Sequence, residues 1–245
     1  MATSPRKFIP LPSYLLLLAA VFAVEFVWLA IAPNDRPTWV LENALVLGFV
    51  LAIAFSYRAF PLSRVSYTMI FVFLCLHEIG AHYTYAEVPY VNWLESTLGI
   101  GLDHERNHYD RLVHFTYGAM LAYPVREIFV RIVDVRGLWG YVLPLDLTIS
   151  TSALFELIEW AVAEIFGGGL GTAYLGTQGD EWDAQKDMAL ASLGALIAMS
   201  ATFAVNSFMQ RDFSSELAES LRVKHRRPLD ENDIVQRQRA ARRGH

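Results

Sequence analysis

Cysteine and charge are both scarce in this chain of 245 residues. Its one cysteine, Cys75, lies inside an apolar segment, which excludes an intrachain disulfide and a thiolate metal cluster. Charged residues make up 18% of the chain against 54% hydrophobic residues, a composition too apolar for an ordinary soluble domain. The net charge of −5 is mild and segregated by region, so the sequence also argues against a nucleic-acid partner.

Common enzyme signatures are missing as well. There is no G-x-S-x-G nucleophile elbow and no phosphate-binding loop. The HEIGAH stretch at residues 77–82 has one residue too many for the H-E-x-x-H motif of zinc proteases. A catalytic site in this chain must therefore be assembled from residues that are dispersed along it.

Long apolar segments dominate the residues that are present. At a rise of about 1.5 Å per residue, about 20 residues cross the hydrocarbon core of a bilayer as a helix. Six segments are long enough, at residues 14–32, 41–60, 66–83, 110–133, 145–166 and 182–208. Pro124 is expected to bend the fourth of them. The sequence therefore predicts an all-α polytopic membrane protein, a six-transmembrane-helix bundle.

The first segment has a competing interpretation as a signal peptide. The tripeptide AIA at residues 30–32 resembles a small-residue cleavage site. The length of the segment, Glu25 and Trp28 within it, and Pro33 directly after it favour a retained helix instead.

Lysine and arginine near the segment ends set the expected orientation. Basic residues on one side of the predicted bundle are Arg6, Lys7, Arg58, Arg64, Arg131, Arg136 and the cluster at residues 222–227. We therefore expect residues 1–210 to form one integral membrane domain with the N- and C-termini on the cytoplasmic side. Residues 211–245 carry nine basic and six acidic side chains and are expected to form a basic, disordered cytoplasmic tail.

Histidines and acids collect on the opposite, outer side of the predicted bundle. Five of the seven histidines lie between residues 77 and 114, in a polar segment with an apolar run on either side. Residues three or four apart share a helix face, as Glu78 and His82 do, and as Asp110 and His114 do. His77 points about 140° away from His82, so only one of the two needs to face a common site. We favour His82, with His77 as the alternative.

These groups predict a site at the outer headgroup level. Ionisable residues within membrane spans are costly and usually face a bundle interior or a cavity. A set of histidines and carboxylates without cysteine suits zinc, iron or manganese, and a bound zinc lowers the pKa of its water to about 7. The expected metal ligands are Glu78, His82, His108, His114, Asp183 and Asp187. The expected catalytic residues are Glu156, Glu159 and Asp110, and the expected substrate-binding residues are Arg111, Tyr117 and Asp180. His104, within the loop, is the more expendable histidine.

Three functions are compatible with this pattern. The first is a membrane-embedded, metal-dependent hydrolase that acts on a lipid or envelope substrate. The second is a small transporter coupled to protons or cations, which needs a polar route continuing to the cytoplasmic side. The third is a structural or regulatory membrane protein, in which the acids pair with Arg106, Arg111 and Lys186 to hold helix ends together.

Several stretches also resemble a known family in the same order along the chain. HEIGAHYTYAEVPY, NHYDRLVHFTYG, FELIEW and GDEWDAQKDMALASLGA resemble the YjdF-type family of predicted bacterial inner-membrane proteins. The resemblance covers about residues 14–208. It implies a multi-pass protein of the bacterial inner (plasma) membrane, whose partner is the lipid bilayer, and a domain of unknown function.

A weaker resemblance is to the VanZ-like superfamily. It rests on three features. Asp110 and Arg111 precede His114, Glu156 lies three residues before Glu159, and Asp187 precedes Gly194. Glu159 stands where that pattern has glutamine, and Ala191 where it has asparagine. VanZ-like proteins are associated with glycopeptide resistance and envelope lipids, so the resemblance implies at most an envelope setting.

Overall fold

The computed structural model describes residues 9–99, 106–166, 175–209 and 213–222. No strand lies within these residues, so the predicted all-α class is confirmed for this part of the chain. Its helices are α1 (Leu11–Leu29), α2 (Arg36–Ser56), α3 (Arg64–His82), α4 (Tyr90–Leu98), α5 (Tyr109–Ile132), α6 (Trp139–Phe166), α7 (Asp183–Met209) and α8 (Phe213–Ser220).

Five of these helices, α1, α2, α3, α6 and α7, are long and apolar enough to cross a membrane. The sixth predicted span, residues 110–133, coincides with α5, which has the length but carries more charge. Apolar side chains cover the outside, where Leu16, Trp28 and Phe55 are 72%, 74% and 80% exposed. In contrast, Glu42 and Glu78 are only 2% and 0% exposed. This inversion of polar and apolar surface is typical of a helix bundle in lipid.

The second helix begins five residues before its predicted start. The side chain of Asp35 caps it by accepting a 2.8 Å hydrogen bond from the backbone N–H of Thr38. Pro37 then occupies the first turn, where its missing N–H costs nothing. Glu42 therefore lies about 9 Å below the outer end of α2, inside the bundle, and not at the edge of a span.

The central contact of the bundle joins α5 and α7. A methyl group added to Gly118 would lie 2.8 Å from the backbone N of Ala195 and closer still to the carbonyl oxygen of Ala191. A methyl group on Gly194 would similarly lie 2.8 Å from the backbone N of Ala119. Small residues let the two backbones approach at this crossing. Arg111 contacts Asp183 near the start of both helices, and Ala122 packs with Met199 further along both. The two helices therefore run in the same direction.

The remaining helices surround this pair. Helices α3 and α6 both pack against α5, and α6 also packs against α7. Helix α1 packs against α3, with a 2.6 Å hydrogen bond between the hydroxyls of Tyr14 and Thr68. Helix α5 continues through Pro124 without a break, and the expected bend there stays a prediction.

The segment expected to form a disordered tail begins with α8. Phe213 packs on the rings of Tyr141 and Phe203. The carboxylate of Glu216 accepts a 2.9 Å hydrogen bond from the backbone N–H of Gly137. Residues 223–245, on which most of the expected tail falls, lie outside the described residues.

Candidate metal centre

The same faces of α5 and α7 that touch at the glycine crossing carry acids and a histidine closer to their outer ends. On α5 the stripe is Asp110, His114 and Gly118, and on α7 it is Asp183, Asp187 and Ala191, each in steps of four residues. Residues four apart lie above one another on a helix. The close backbone approach at Gly118 therefore brings His114 beside Asp187.

Three residues of these two stripes could hold a metal ion together. One ligand atom from each of Asp110, His114 and Asp187 lies within 4.8 Å of the other two. His114 and Asp187 are 8% and 2% exposed. Helix α6 adds a fourth group, because Oε1 of Glu156 is 3.5 Å from Nε2 of His114. The same histidine nitrogen is 3.6 Å from Oδ1 of Asp110.

These separations match those of donor atoms around a small divalent ion. Donors about 2.1 Å from a tetrahedral zinc are roughly 3.4 Å apart from one another. Oδ1 of Asp187 and Oε1 of Glu156 are buried and accept no hydrogen bond within the described part of the chain. Buried carboxylate oxygens without donors are costly unless a cation or proton satisfies them.

A rim of ion pairs lies at the N-terminal ends of α5 and α7. Arg111 donates to Oδ2 of Asp180 at 2.6 Å and to Oδ1 of Asp183 at 3.2 Å, and Arg106 also donates to Asp183. Lys186 donates to Asp180 at 2.5 Å. This hydrogen bond from the Lys186 ammonium is the main reason that the pKa of Asp180 is lowered to about 2. The rim holds the outer ends of the two helices together.

A second buried polar group lies where α2 and α3 meet this site. Nε2 of His77 is 3.9 Å from Oε2 of Glu42, and neither atom has a hydrogen-bond partner among the described residues. The hydroxyl of Tyr85 is 2.6 Å from the other ring nitrogen of His77, Nδ1. Glu78, one residue further along α3, is fully buried, and both its carboxylate oxygens lack a partner. Glu159 interacts electrostatically with Asp110 and Glu156, near His114, and also with Glu42. The buried group on α2 and α3 therefore adjoins the metal-ligand group on α5 and α7.

The structure brings together most of the residues expected from the sequence. Asp110, His114, Glu156 and Asp187 form the centre, with Glu159 beside Glu156. Asp180, Asp183 and Arg111 form the rim. Tyr117 lies one turn inward of His114, and its hydroxyl is 2.6 Å from that of Thr151. The chemical role assigned to each of these residues stays a prediction.

Four of the six expected metal ligands lie outside this centre. Asp183 belongs to the rim, Glu78 belongs to the buried group on α2 and α3, and His82 and His108 lie apart from both. Nδ1–H of His82 donates to the carbonyl oxygen of Leu29 at 2.6 Å, which ties the outer end of α3 to that of α1. His108 is exposed, and its Nδ1 accepts a 3.2 Å hydrogen bond from Arg111. Of the pair left open by helical spacing, His77 is the histidine that faces the buried carboxylates. His104 lies outside the described residues.

Glu42 is the functional candidate that sequence reasoning missed. The signal was available, because an acid inside an apolar segment of membrane length is itself a reason to suspect a site. The predicted span begins at residue 41, so Glu42 lies at its edge and is not among the site residues expected from the sequence. Recognising Asp35 and Pro37 as a helix start would have placed it two turns inside.

A surface cleft adjoins the rim. It has a volume of about 340 Å³ and is lined by residues that include Glu87, Val88, Asn107 and Gln178. Arg106 also lines it and binds Asp183, so the cleft and the rim share a residue.

Comparison with known proteins gives two matches. The profile of a family described as "Predicted membrane protein (DUF2238)" matches residues 14–207. The chain is also 38% identical over 179 residues to the inner membrane protein YjdF of Escherichia coli (strain K12). That alignment covers 73% of this chain and 83% of the relative. No solved structure matches the chain. The resemblance to YjdF-type proteins is therefore confirmed, and the resemblance to VanZ-like proteins stays a prediction.

Proposed function

Because the chain belongs to the DUF2238 family of predicted membrane proteins and is an integral protein of the bacterial inner membrane, we propose a catalytic role for its buried polar centre. In this proposal the protein is a metal-dependent hydrolase that acts on a lipid or envelope-precursor substrate at the outer side of the bilayer. The observation that carries the proposal is the convergence of Asp110, His114 and Asp187, whose ligand atoms lie within 4.8 Å of one another, with Glu156 3.5 Å from His114.

The proposal includes a topology of six spans with both termini in the cytoplasm. Helix α5 supplies the sixth span, and its 24 residues have a length of about 36 Å, enough to cross a bilayer. Its charged residues support this, since Asp110 and Arg111 lie in the first turn and Arg126, Glu127 and Arg131 in the last two turns. Packing against α3, α6 and α7 shields the polar part of α5 from lipid.

Each residue then has a defined task. A divalent ion at this centre would supply an activated water, since binding to a divalent metal lowers the pKa of water to about 7. Asp110, His114 and Asp187 would hold the ion, and the carboxylate of Glu156 or Glu159 would accept the proton that the water loses. The water oxygen would form a bond to the ester carbon or phosphorus as the bond to the leaving oxygen breaks, and the leaving oxygen would take up the proton from that glutamate. Arg106 and Arg111 are positioned at the rim to orient an anionic headgroup.

The packing below the centre favours hydrolysis over transport. A transporter needs a polar path that continues to the cytoplasmic side. Instead Ala122, Ala195 and Met199 fill the contact between α5 and α7 below the glycine crossing. Leu74 and Leu121 help to fill the space between α3 and α5. Among the described residues, the next group of acids and bases on this route is the partly buried one around Glu127 at the opposite helix ends.

Metal content and lipid turnover test the proposal separately. The full-length protein, purified in detergent, is expected to hold at least one equivalent of zinc, iron or manganese by elemental analysis, and Asp187→Asn is expected to lose it. Glu164→Gln is the matched control, because Glu164 lies on α6 but is exposed to the outside. Protein reconstituted in vesicles of bacterial lipid extract is expected to convert one lipid class to a hydrolysed product, detected by mass spectrometry and abolished by a chelator.

Two results would contradict the proposal. Absence of bound metal, with none taken up on addition of zinc, iron or manganese, would remove the metal centre. Bound metal without turnover of any lipid class or added envelope precursor would leave a metal-binding protein and remove the hydrolase.

A further inference from the structure

We propose that the centre holds two divalent cations, with the second ion bound by Glu42 and His77, next to Asp110 and Glu159. This proposal rests on the metal centre proposed above and extends it to the buried group on α2 and α3. The second pair of donor atoms is Nε2 of His77 and Oε2 of Glu42, 3.9 Å apart. Both side chains are more than nine-tenths buried, and neither donor atom has a partner among the described residues.

The surroundings of His77 are those of a metal-ligating histidine. Such a histidine usually donates its other ring N–H to an acceptor, which fixes the ring and leaves the second nitrogen free to bind the ion. Here the hydroxyl oxygen of Tyr85 is 2.6 Å from Nδ1 of His77, and Nε2 points toward Glu42. Tyr85 therefore acts as a positioning residue for the second site.

The backbone holds Tyr85 in this place at a conformational cost. Thr84 and Tyr85 have φ angles of 54° and 51°, in the left-handed region that residues with side chains rarely adopt. The ring of Tyr85 also lies directly against Gly80, where an added methyl group would be 2.6 Å from Cδ1 of the ring. Strained residues of this kind persist where the surrounding structure demands them, and they cluster at ligand sites.

Asp110 links the two groups. It belongs to the three-residue group with His114 and Asp187, and it is also an electrostatic neighbour of Glu42 and Glu159. His77 and His114 are close enough to interact electrostatically as well. In two-metal sites the ions are about 3.5–4 Å apart, a spacing that one carboxylate can bridge with its two oxygens.

The balance of charge favours two ions over one. The two groups together contain six carboxyl groups, those of Glu42, Glu78, Asp110, Glu156, Glu159 and Asp187. Among the described residues none of the six forms a direct ion pair with lysine or arginine, and Arg106 and Arg111 act on Asp110, and Arg111 on Asp187, only from a longer distance. One divalent ion compensates two negative charges and two ions compensate four. The Glu156 and Glu159 side chains, which lie within hydrogen-bonding distance of each other, can share a proton.

Manganese loading tests the second ion. The full-length protein in detergent is stripped with a chelator, reloaded with Mn²⁺ and desalted, and its metal is measured per chain by elemental analysis and by electron paramagnetic resonance. We expect two manganese ions per chain with an exchange-coupled spectrum. Glu42→Gln, which keeps the side-chain shape, is expected to reduce this to one ion with the spectrum of isolated Mn²⁺. Glu164→Gln is the control and is expected to keep two.

The possible results separate this inference from the proposed function. One ion per chain in the unmodified protein, unchanged by Glu42→Gln but lost in Asp187→Asn, would overturn the second site and leave the first. No ion in any variant would overturn both. Two ions that persist in Glu42→Gln would overturn the assignment of the second site to Glu42.

Tyr85→Phe gives an independent reading if Glu42→Gln does not fold. It removes only the hydroxyl that faces His77, so the fold should survive. Loss of such an orienting partner weakens metal affinity by about 10- to 100-fold. We expect this loss for one of the two manganese ions and unchanged affinity for the other. Unchanged affinity for both ions would refute the positioning role of Tyr85 and, with it, the placement of the second ion at His77.

Discussion

The glycine crossing of α5 and α7 makes a prediction about a residue that touches no candidate ligand. In Gly118→Ala the added methyl group would lie 2.8 Å from the backbone N of Ala195, whereas ordinary contact begins at 3.4 Å. The carbonyl oxygen of Ala191 would lie closer still, so the helices must separate by well over about 0.6 Å at this point. Backbone atoms cannot move aside as a flexible side chain can.

The expected effect on stability is large for one methyl group. Overpacking of this kind costs about 1–3 kcal/mol, and the rigid backbone on the other side places Gly118→Ala at the upper end. For a chain of this size, that corresponds to a fall in melting temperature on the order of 5–10 °C. Separation of α5 from α7 also moves His114 away from Asp187, so we expect metal affinity to fall by about tenfold. Tryptophan fluorescence during heating and metal titration of the detergent-purified protein measure the two effects.

Gly48→Ala is the matched control. Gly48 lies in α2, and an added methyl group there meets nothing within 4 Å. The same substitution should be neutral or stabilising by up to about 1 kcal/mol, because alanine favours helix over glycine. A Gly118→Ala protein that melts within 2 °C of the unmodified protein and binds metal equally well would refute the argument from close backbone approach.

Three further predictions concern other parts of the molecule. The Glu127 carboxylate accepts four hydrogen bonds from the start of α3 and from Arg131. Glu127→Ala should therefore cost about 2–3 kcal/mol of stability without changing metal content, and an unchanged melting temperature would contradict this. The pKa of Asp180 is lowered from its ordinary value of 3.8 to about 2, chiefly by the hydrogen bond from Lys186. The stability that the Asp180 carboxylate contributes is therefore present above about pH 4 and is lost as the pH falls toward 2. Asp180→Asn should melt below the unmodified protein at pH 6, with a gap that narrows below pH 4; a gap that is constant from pH 6 to pH 3 would count against the ion pair. In the proposed topology, an impermeant thiol reagent added to intact cells should label Asn34→Cys in a cysteine-free background and should label Arg136→Cys only after the membrane is opened. The reverse pattern would invert the topology.

The sequence predicted the helices better than it predicted which of their faces meet. Long apolar runs identify membrane helices because composition alone carries that signal. The start of α2 was placed five residues late, because the helix begins at a polar cap and a proline before its apolar run. The short helix α4 was not predicted, since its nine residues lie in a segment interpreted as a polar loop.

The site was predictable where its geometry is local. The pair Asp110 and His114 follows from spacing on one helix, and the acidic stripe of α7 follows from steps of three and four. The choice between His77 and His82 depends on which face of α3 meets α2 and α5, and helical spacing does not contain that information. The partnership of His77 with Glu42 is likewise a tertiary contact between residues 35 positions apart.

The parallel arrangement of α5 and α7 has a consequence for biosynthesis. A ribosome makes α5 and α6 before α7, so Asp110, His114 and Glu156 enter the membrane before Asp187 exists. Until α7 arrives, neither the metal-binding group nor the glycine crossing can form, and α5 has no partner for the face that carries both. In the proposed function, capture of the ion and closure of the bundle would therefore be one event, which comes late in synthesis. Cells starved of the metal should accumulate chains that are inserted in the membrane but not closed, and these chains would be substrates for membrane proteases.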